Sequence, residues 1–299
     1  MAHVGTTLSQ ALFASGKIRD IVTASFFEEN ELRIISISKG NGKTRTIYSP
    51  NDEERAILAP HVPVLRDLQE HVLDDCVHGF RVKRSPITNA IPHLNMEYTL
   101  SFDLENFFDS VTYEHLKCLL PVGFRREVKD GGVLYQRAPR QGLPTSPFVA
   151  NIAAAAMDRD ILASLCLPIT SVVYTRYADD LSFSWCGDRS LHTWLRTEVK
   201  RVVESHRFKL AKGKTHLQSS KAGRRVVCGV AVDHELHARR DARRRLRAAS
   251  HRCEGLFNAN QLADAFDEKA GARHHIKLAH RQMNGLRAWC SMKIPQEKA

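Results

Sequence analysis

The chain has 299 residues, 43% apolar and 26% charged, with a formal net charge of +11 and a pI near 9.5. That length can bury a sizeable core, as one elaborated domain or two to three subdomains. The basic balance points to a polyanionic partner, most simply nucleic acid, with an anionic membrane surface as the weaker alternative. No apolar run approaches the roughly 20 residues of a membrane span, and no basic segment followed by an apolar core opens the sequence. Seven scattered cysteines with no Cys-x-x-Cys pair argue against a zinc ribbon or a disulfide framework, and for reduced thiols in a cytosolic protein. The fifteen histidines are dispersed, and the adjacent pair His274-His275 lacks partners at metal-site spacing.

Residues 1 to about 30 read as helical and then polar. Arg33–Ser38 and Lys43–Tyr48 alternate around a Lys39–Gly42 turn, which predicts a β-hairpin with basic residues near its tip. Lys43 and Arg45 make it either an ordinary exposed hairpin or a flap that clamps phosphates. Asp52 to Cys76 carries helical periodicity, and a basic looped segment follows, ending in Asn89-Ala90-Ile91-Pro92-His93. Taken alone, Asn89 and His93 read as residues that hold loop backbone by hydrogen bonds. Tyr98 to Phe102 is a strand with Asp103 at its C-terminal end, where α/β sheets place reactive groups. Glu105 and Asp109 read as helix caps before a helix through Tyr113–Lys117.

Arg137–Pro147 is a loop punctuated by glycine and proline that feeds an Ala-rich helix. A loop entering a helix N-terminus is a natural neighbour for phosphate oxygens. Tyr177-Ala178-Asp179-Asp180 then sits between two runs rich in β-branched and aromatic residues, so the carboxylates fall at a hairpin tip. Asp-Asp is ordinary turn chemistry, but two adjacent like charges also call for a cation, and hard oxygen ligands suit Mg²⁺. Residues 190–206 form an amphipathic helix, Arg224–Val232 a strand pair, and from His237 on the chain is helical and basic. Arg239, Arg240, Arg243, Arg244 and Arg247, with few acids to offset them, favour a nucleic-acid surface over a merely solvated face. No internal repeat and no low-complexity linker divides the chain.

The order of these parts is informative. Setting the Asp103 strand beside the Asp179-Asp180 hairpin brings three carboxylates together, the requirement for two-metal phosphoryl transfer, with Lys43 and Arg45 to neutralise a triphosphate. Here the sequence resembles the reverse transcriptases. Phe102-Asp103 with Phe107-Phe108 is similar to their first catalytic motif, Gln141-Gly142-Leu143-Pro144-Thr145-Ser146-Pro147 to their Gln-Gly-x-x-x-Ser-Pro loop, and Tyr177-Ala178-Asp179-Asp180 to their Tyr-x-Asp-Asp box. The resemblance spans about residues 30–235. It implies an α+β right-hand fold, with fingers at 1–97, a palm at 98–234 into which part of the fingers is inserted around 112–150, and a basic helical thumb at 235–299.

By the same resemblance, Asp103, Asp179 and Asp180 are catalytic and, with Leu104, hold two Mg²⁺ ions for which Mn²⁺ can substitute. Phe108 is the gate against a ribose 2′-hydroxyl, Gln141 and Gly142 lie by the incoming nucleotide, and Lys214 resembles the lysine after the palm helix. Within the superfamily the chain resembles the retron enzymes of bacteria, whose Asn-Ala-x-x-His signature appears as Asn89 to His93. Retron enzymes also carry Val-Thr-Gly before the thumb. Here Val227-Cys228-Gly229 lacks the threonine, which puts a hydroxyl contact to RNA at that place in doubt. The resemblance implies a cytoplasmic enzyme that copies a cognate structured non-coding RNA into branched multicopy single-stranded DNA. Its synthesis would be primed from an RNA 2′-hydroxyl, use dNTPs, have the thumb arginines on the RNA–DNA hybrid, and serve antiphage defence with an effector protein. A related defence polymerase without an encoded template, and a catalytically silent RNA-binding scaffold, stay open as alternatives.

Overall fold

Alternation in Tyr98-Thr99-Leu100-Ser101-Phe102-Asp103 decides the architecture, because it gives one strand an apolar face and a polar face. The computed structural model describes residues 32–40, 42–129, 133–166, 171–251 and 283–291. In it this segment is strand β3 (Tyr98–Asp103), central in a four-stranded antiparallel sheet. Its neighbours are β5 (Asp180–Trp185), flanked by β4 (Val173–Tyr177), and on the other side β6 (His216–Ser219). The register sets Leu100 opposite Phe183 and Phe102 opposite Leu181, while Thr99 faces Ser184 and Asp103 faces Asp180. One face is therefore apolar, and the other carries hydroxyls and carboxylates.

The apolar face is covered by helices α2 (His61–Val72), α7 (Ser146–Leu165) and α8 (Leu191–Ser205), which share a single core with it. Helix α7 is buried nearly all round, and its run of alanines lets it lie close to the sheet. The basic hairpin forms as expected from β1 (Arg33–Gly40) and β2 (Lys43–Ser49). A second small sheet comprises β7 (Arg225–Val227), β8 (Val230–Val232) and β9 (Leu236–Ala238).

Several local expectations change. The helix expected over Asp52–Cys76 is two, α1 (Asp52–Leu58) and α2, because Pro60 has no N–H to continue the ladder and Leu73 leaves the helix in an extended conformation. Within the segment expected to be looped, Ser85 caps a short helix α3 (Pro86–Ala90), its Oγ accepting from Thr88 N–H while its own N–H donates to Thr88 Oγ1, and a 3₁₀ turn follows at Ile91–His93. Between β3 and α7 run three further short helices, α4 (Phe107–Ser110), α5 (Tyr113–Leu116) and α6 (Val122–Lys129). Neither Glu105 nor Asp109 caps α4. Asn106 takes the cap position at a left-handed φ of 48°, and Asp109 instead pairs with Arg140 at 2.6 Å. The chain is still extended at Leu236–Ala238, so the basic helix begins at 240 rather than at His237. The expected N-terminal helices, Cys253 and the basic stretch beyond 251 up to 282 lie outside the described residues. Among the described residues no helix is long and apolar enough to cross a membrane, and the cysteines are free thiols.

One polar cluster is sealed inside the apolar layer. Arg176 shares the apolar face of β4 and is fully buried, as is Asp158 of α7. The guanidinium donates to both carboxylate oxygens, Nε to Oδ1 at 2.9 Å and Nη2 to Oδ2 at 2.7 Å, and the Tyr174 hydroxyl donates to Oδ1 at 2.7 Å. Breaking such a pair leaves an uncompensated buried charge. Asp158→Ala is expected to lower unfolding stability by about 3–5 kcal/mol, read as a fall in the urea midpoint, whereas the double change Arg176→Met with Asp158→Leu should cost much less.

Candidate active site

The polar face of the sheet ends in the three predicted carboxylates. Asp103 and Asp180 are cross-strand partners, and because Tyr177 pairs with Asp180 the hairpin turn is Ala178-Asp179. Ala178 adopts φ 56°, a conformation uncommon outside glycine. The Leu104 N–H donates to the Asp179 carbonyl at 2.9 Å, which ties the end of β3 to the turn. Burial first, then a hydrogen bond with Asp103 and the charges of Asp179 and Asp103, push the Asp180 carboxyl up to about 7. Burial and the Asp103 charge also raise Asp179, against the pull of Lys214 and Arg45.

Lys214, from the loop after α8, places its ammonium on Asp103 Oδ2. Among the described residues no three His, Cys, Asp or Glu side chains form a preassembled ligand set. The donors nevertheless fit a hard divalent cation. They are crowded carboxylate oxygens, relieved at present by a shared hydrogen bond and a lysine ammonium standing where positive charge is needed.

The turn is held from behind. Arg176 Nη1 donates to the Ala178 carbonyl at 3.2 Å and to Asn151 Oδ1 at 3.0 Å. Asn151 Nδ2 donates to the Gly79 carbonyl at 2.7 Å, and Gln69 Nε2 to the Phe80 carbonyl at 3.0 Å. Residues 76–80 thus run along β4, with Arg176 N–H donating to Cys76 O and His78 N–H to Arg176 O, both at 2.8 Å. A Cβ built on Gly79 would stand 2.5 Å from the Ala178 nitrogen. Sequence reasoning missed Gln69, Gly79, Asn151, Asp158 and Arg176. The available signal was a charged residue inside an apolar strand, and Asn151 and Asp158 two turns apart in an apolar helix.

The other predicted residues divide into those near the carboxylates and those elsewhere. Arg45 is exposed on the hairpin and close enough to act on Asp179, whereas the Lys43 side chain lies outside the described residues. Phe108 is half-buried, its ring 6.2 Å from Phe80 and edge-on to it. The Gln141 carbonyl accepts from Tyr48 N–H at 2.7 Å, and Gly142 has φ 109° with space for a Cβ denied by the Tyr48 oxygen at 2.2 Å. That glycine serves the docking of its loop on β2. Cys228 and Gly229 form the two-residue β7–β8 turn, with φ 45° and 77°, and burial with the nearby Asp180 and Asp179 charges pushes the Cys228 thiol up to about 12. Val227 is buried in the small sheet's core.

Arg239, Arg240, Arg243 and Arg244 line a cleft of about 420 Å³ beside β7–β9, and Arg247 continues their helix face. His93 and Asn89 are buried away from the carboxylates. His93 bridges Ser184 Oγ at 2.7 Å and Thr175 Oγ1 at 2.8 Å, its carbonyl accepts from Arg225 Nη2 at 2.9 Å, and both polar atoms of the Asn89 amide lack a partner.

With this geometry in view, the comparisons are decisive. The family profile described as reverse transcriptase (RNA-dependent DNA polymerase) matches residues 37–243. The chain belongs to the reverse transcriptase family. Its curated relatives include the Retron Mx162 reverse transcriptase of Myxococcus xanthus, 32% identical over 72% of this chain and 51% of the relative. The Retron Mx65 reverse transcriptase of the same organism is 30% identical over 88% of this chain and 61% of the relative. The chain thus spans about half to three-fifths of the length of these relatives. Among solved structures, a telomerase from Candida albicans in complex with a fragment of telomeric RNA aligns with a TM-score of 0.54 at 14% identity, covering 76% of this chain and 48% of that one. The fold is that of a right-hand polymerase.

In this reverse transcriptase-family chain two residues give clean tests. Gly79→Ala is expected to displace the carboxylate turn, so any primer extension that the parent chain performs should fall at least about tenfold while thermal unfolding moves by only a few degrees. Burial, reinforced by the Arg225 and His78 charges, lowers His93 to about 3. The folded state then refuses a proton that the unfolded state accepts. Stability contributed by neutral His93 is complete above its ordinary pKa of 6.5 and is lost as pH falls from there toward 3, by about 1.4 kcal/mol per unit. Urea midpoints measured from pH 7 to 4 should show this decline, with a shallower slope in His93→Gln.

Proposed function

We propose that this chain is an RNA-directed DNA polymerase of retron type. The observation that carries the reading is the cross-strand partnership of Asp103 with Asp180, with Asp179 in the adjoining turn, in a chain of the reverse transcriptase family. Asp103, Asp179 and Asp180, with the Leu104 main chain, would hold two Mg²⁺ ions, or Mn²⁺ in their place, which supply activation of an attacking hydroxyl and neutralise charge at the phosphate. The chain's own residues do the positioning. Lys43 and Arg45 on the hairpin meet the triphosphate of a dNTP, and Lys214 adds a proton-bearing cation beside Asp103. Phe108, braced by Phe80, excludes a ribose 2′-hydroxyl by bulk, Gln141 and Gly142 border the incoming nucleotide, and the arginines of 239–247 track the backbone of the RNA–DNA hybrid.

The retron names of its relatives support a finer reading. The template is a cognate structured non-coding RNA, a 2′-hydroxyl of that RNA is the primer, and the product is branched multicopy single-stranded DNA. The setting is bacterial cytoplasm, with an effector protein in antiphage defence.

Nucleic acid extracted from cells expressing the protein with its flanking locus, then treated with ribonuclease, should retain a discrete small single-stranded DNA. The double variant Asp179→Asn with Asp180→Asn should abolish it, and persistence of the DNA would remove the carboxylates from the chemistry. Binding of the folded RNA by the unaltered chain, with no DNA made under any condition, would instead support the scaffold alternative.

A further inference from the structure

Apart from Lys214, helix α8 and the loop that follows it carry basic side chains that the polymerase reading does not use. The loop leaves the helix through Arg207, whose left-handed φ of 61° lets Phe208 drop into the core while Arg207 and Lys209 flank it outward. With Lys212 further along the loop, and Arg196 and Lys200 on α8, these side chains wall a cleft of about 660 Å³ with Phe102 and Phe208 among its lining. Arg196 and Lys200 are one helical turn apart, about 6 Å along the axis. Against five exposed cations stand two carboxylates, Glu105 and Glu204, and Lys200 reaches Glu204 only at 3.8 Å. Among the described residues Arg196, Arg207, Lys209 and Lys212 form no ion pair.

Arg196, Lys200 and Glu204 also line an adjoining cleft of about 490 Å³, so the basic surface continues across the helix as a track rather than ending in one hollow. Phe102 and Asp103 alternate along β3, which puts the α8 side of this track on the opposite, helix-covered face of the sheet from the carboxylates, while its loop side runs past the end of β3, where Ala211 N–H donates to the Asp103 carbonyl at 2.8 Å. It is also separate from the cleft lined by Arg239 to Arg244.

We infer that this track binds the phosphodiester backbone of an RNA outside the polymerising site. The inference rests on the polymerase reading only for the choice of RNA as the polyanion. An extended row of exposed, mostly unpaired cations suits a polymer held by many weak phosphate contacts better than a single small anion. Such contacts position an RNA without reading its bases.

The test uses the full chain and the quadruple variant Arg196→Gln, Lys200→Gln, Lys209→Gln, Lys212→Gln. Charge reversal of Lys200 and Lys209 serves as a second, independent variant. Filter binding of a hairpin RNA over a KCl series should show at least tenfold weaker binding in the quadruple variant, with the slope of log affinity against log salt shallower by about 3. Extension of oligo(dT) on saturating poly(rA) should stay within about twofold of the parent. Unchanged hairpin affinity and slope in both variants would overturn the inference. So would a loss of saturated extension accompanied by altered pyrophosphate inhibition, which would make the track part of the phosphate path to the carboxylates. Binding is scored without nucleotides, so failure of the parent chain to extend the primer would count against the polymerase reading and leave this one standing on the binding result.

Discussion

The buried pair of Arg176 and Asp158 is the interaction on which the site depends. A charge pair sealed in an apolar layer carries a desolvation cost that good geometry offsets and rarely exceeds, so its contribution to stability alone does not explain it. Its contribution to position does. The guanidinium spends two donors on Asp158 and another on Asn151 and the Ala178 carbonyl, which fixes helix α7, strand β4 and the carboxylate turn in one frame. Asn151 and Gln69 extend that frame to residues 79 and 80, so the back of the turn is braced from α2, α7 and the 76–80 segment together.

In front of this frame the electrostatics are deliberately unfavourable. Three carboxylates share a partly desolvated corner, and the structure eases them with a shared hydrogen bond, Lys214 and the field of Arg45. Stabilising the scaffold behind and leaving charge uncompensated in front is the pattern expected where a protein must receive cations and phosphates. The hydroxyl-rich remainder of the same sheet face is closed differently. Buried His93, Thr99, Ser184 and Arg225 hydrogen-bond one another there, leaving only Arg225 Nε without a partner among these side chains.

What could be read from the chain followed from local rules. The alternation in β3, the β-branched flanks of the Asp179-Asp180 turn, and the amphipathic run that became α8 each announce their element and its buried side, and the three carboxylates could be paired because each ended or joined a strand. The misses came from two other sources. Pro60 and the Ser85 cap are local but compete with hydrophobic periodicity, which extended one helix too far and left another unread. Arg176 with Asp158, and Gly79 against Ala178, are contacts between distant segments, and nothing in either segment names its partner. His93 and Asn89 read in the sequence as holding loop backbone by hydrogen bonds, but the His93 ring bonds the sheet hydroxyls of Thr175 and Ser184, partners that follow only from the sheet, and the Asn89 amide has no partner among the described residues.

The position of β3 has a kinetic consequence. Its partners β5 and β6 come from the 180s and the 210s, so the sheet closes only through contacts distant in sequence, and loop-closure entropy must be met before those contacts reward it. During synthesis Asp103 emerges long before Asp180 and Lys214. The acidic corner is therefore assembled late, once most of the supporting core exists, and a chain stopped before the loop that carries Lys214 would hold the three acids without the ammonium that eases them.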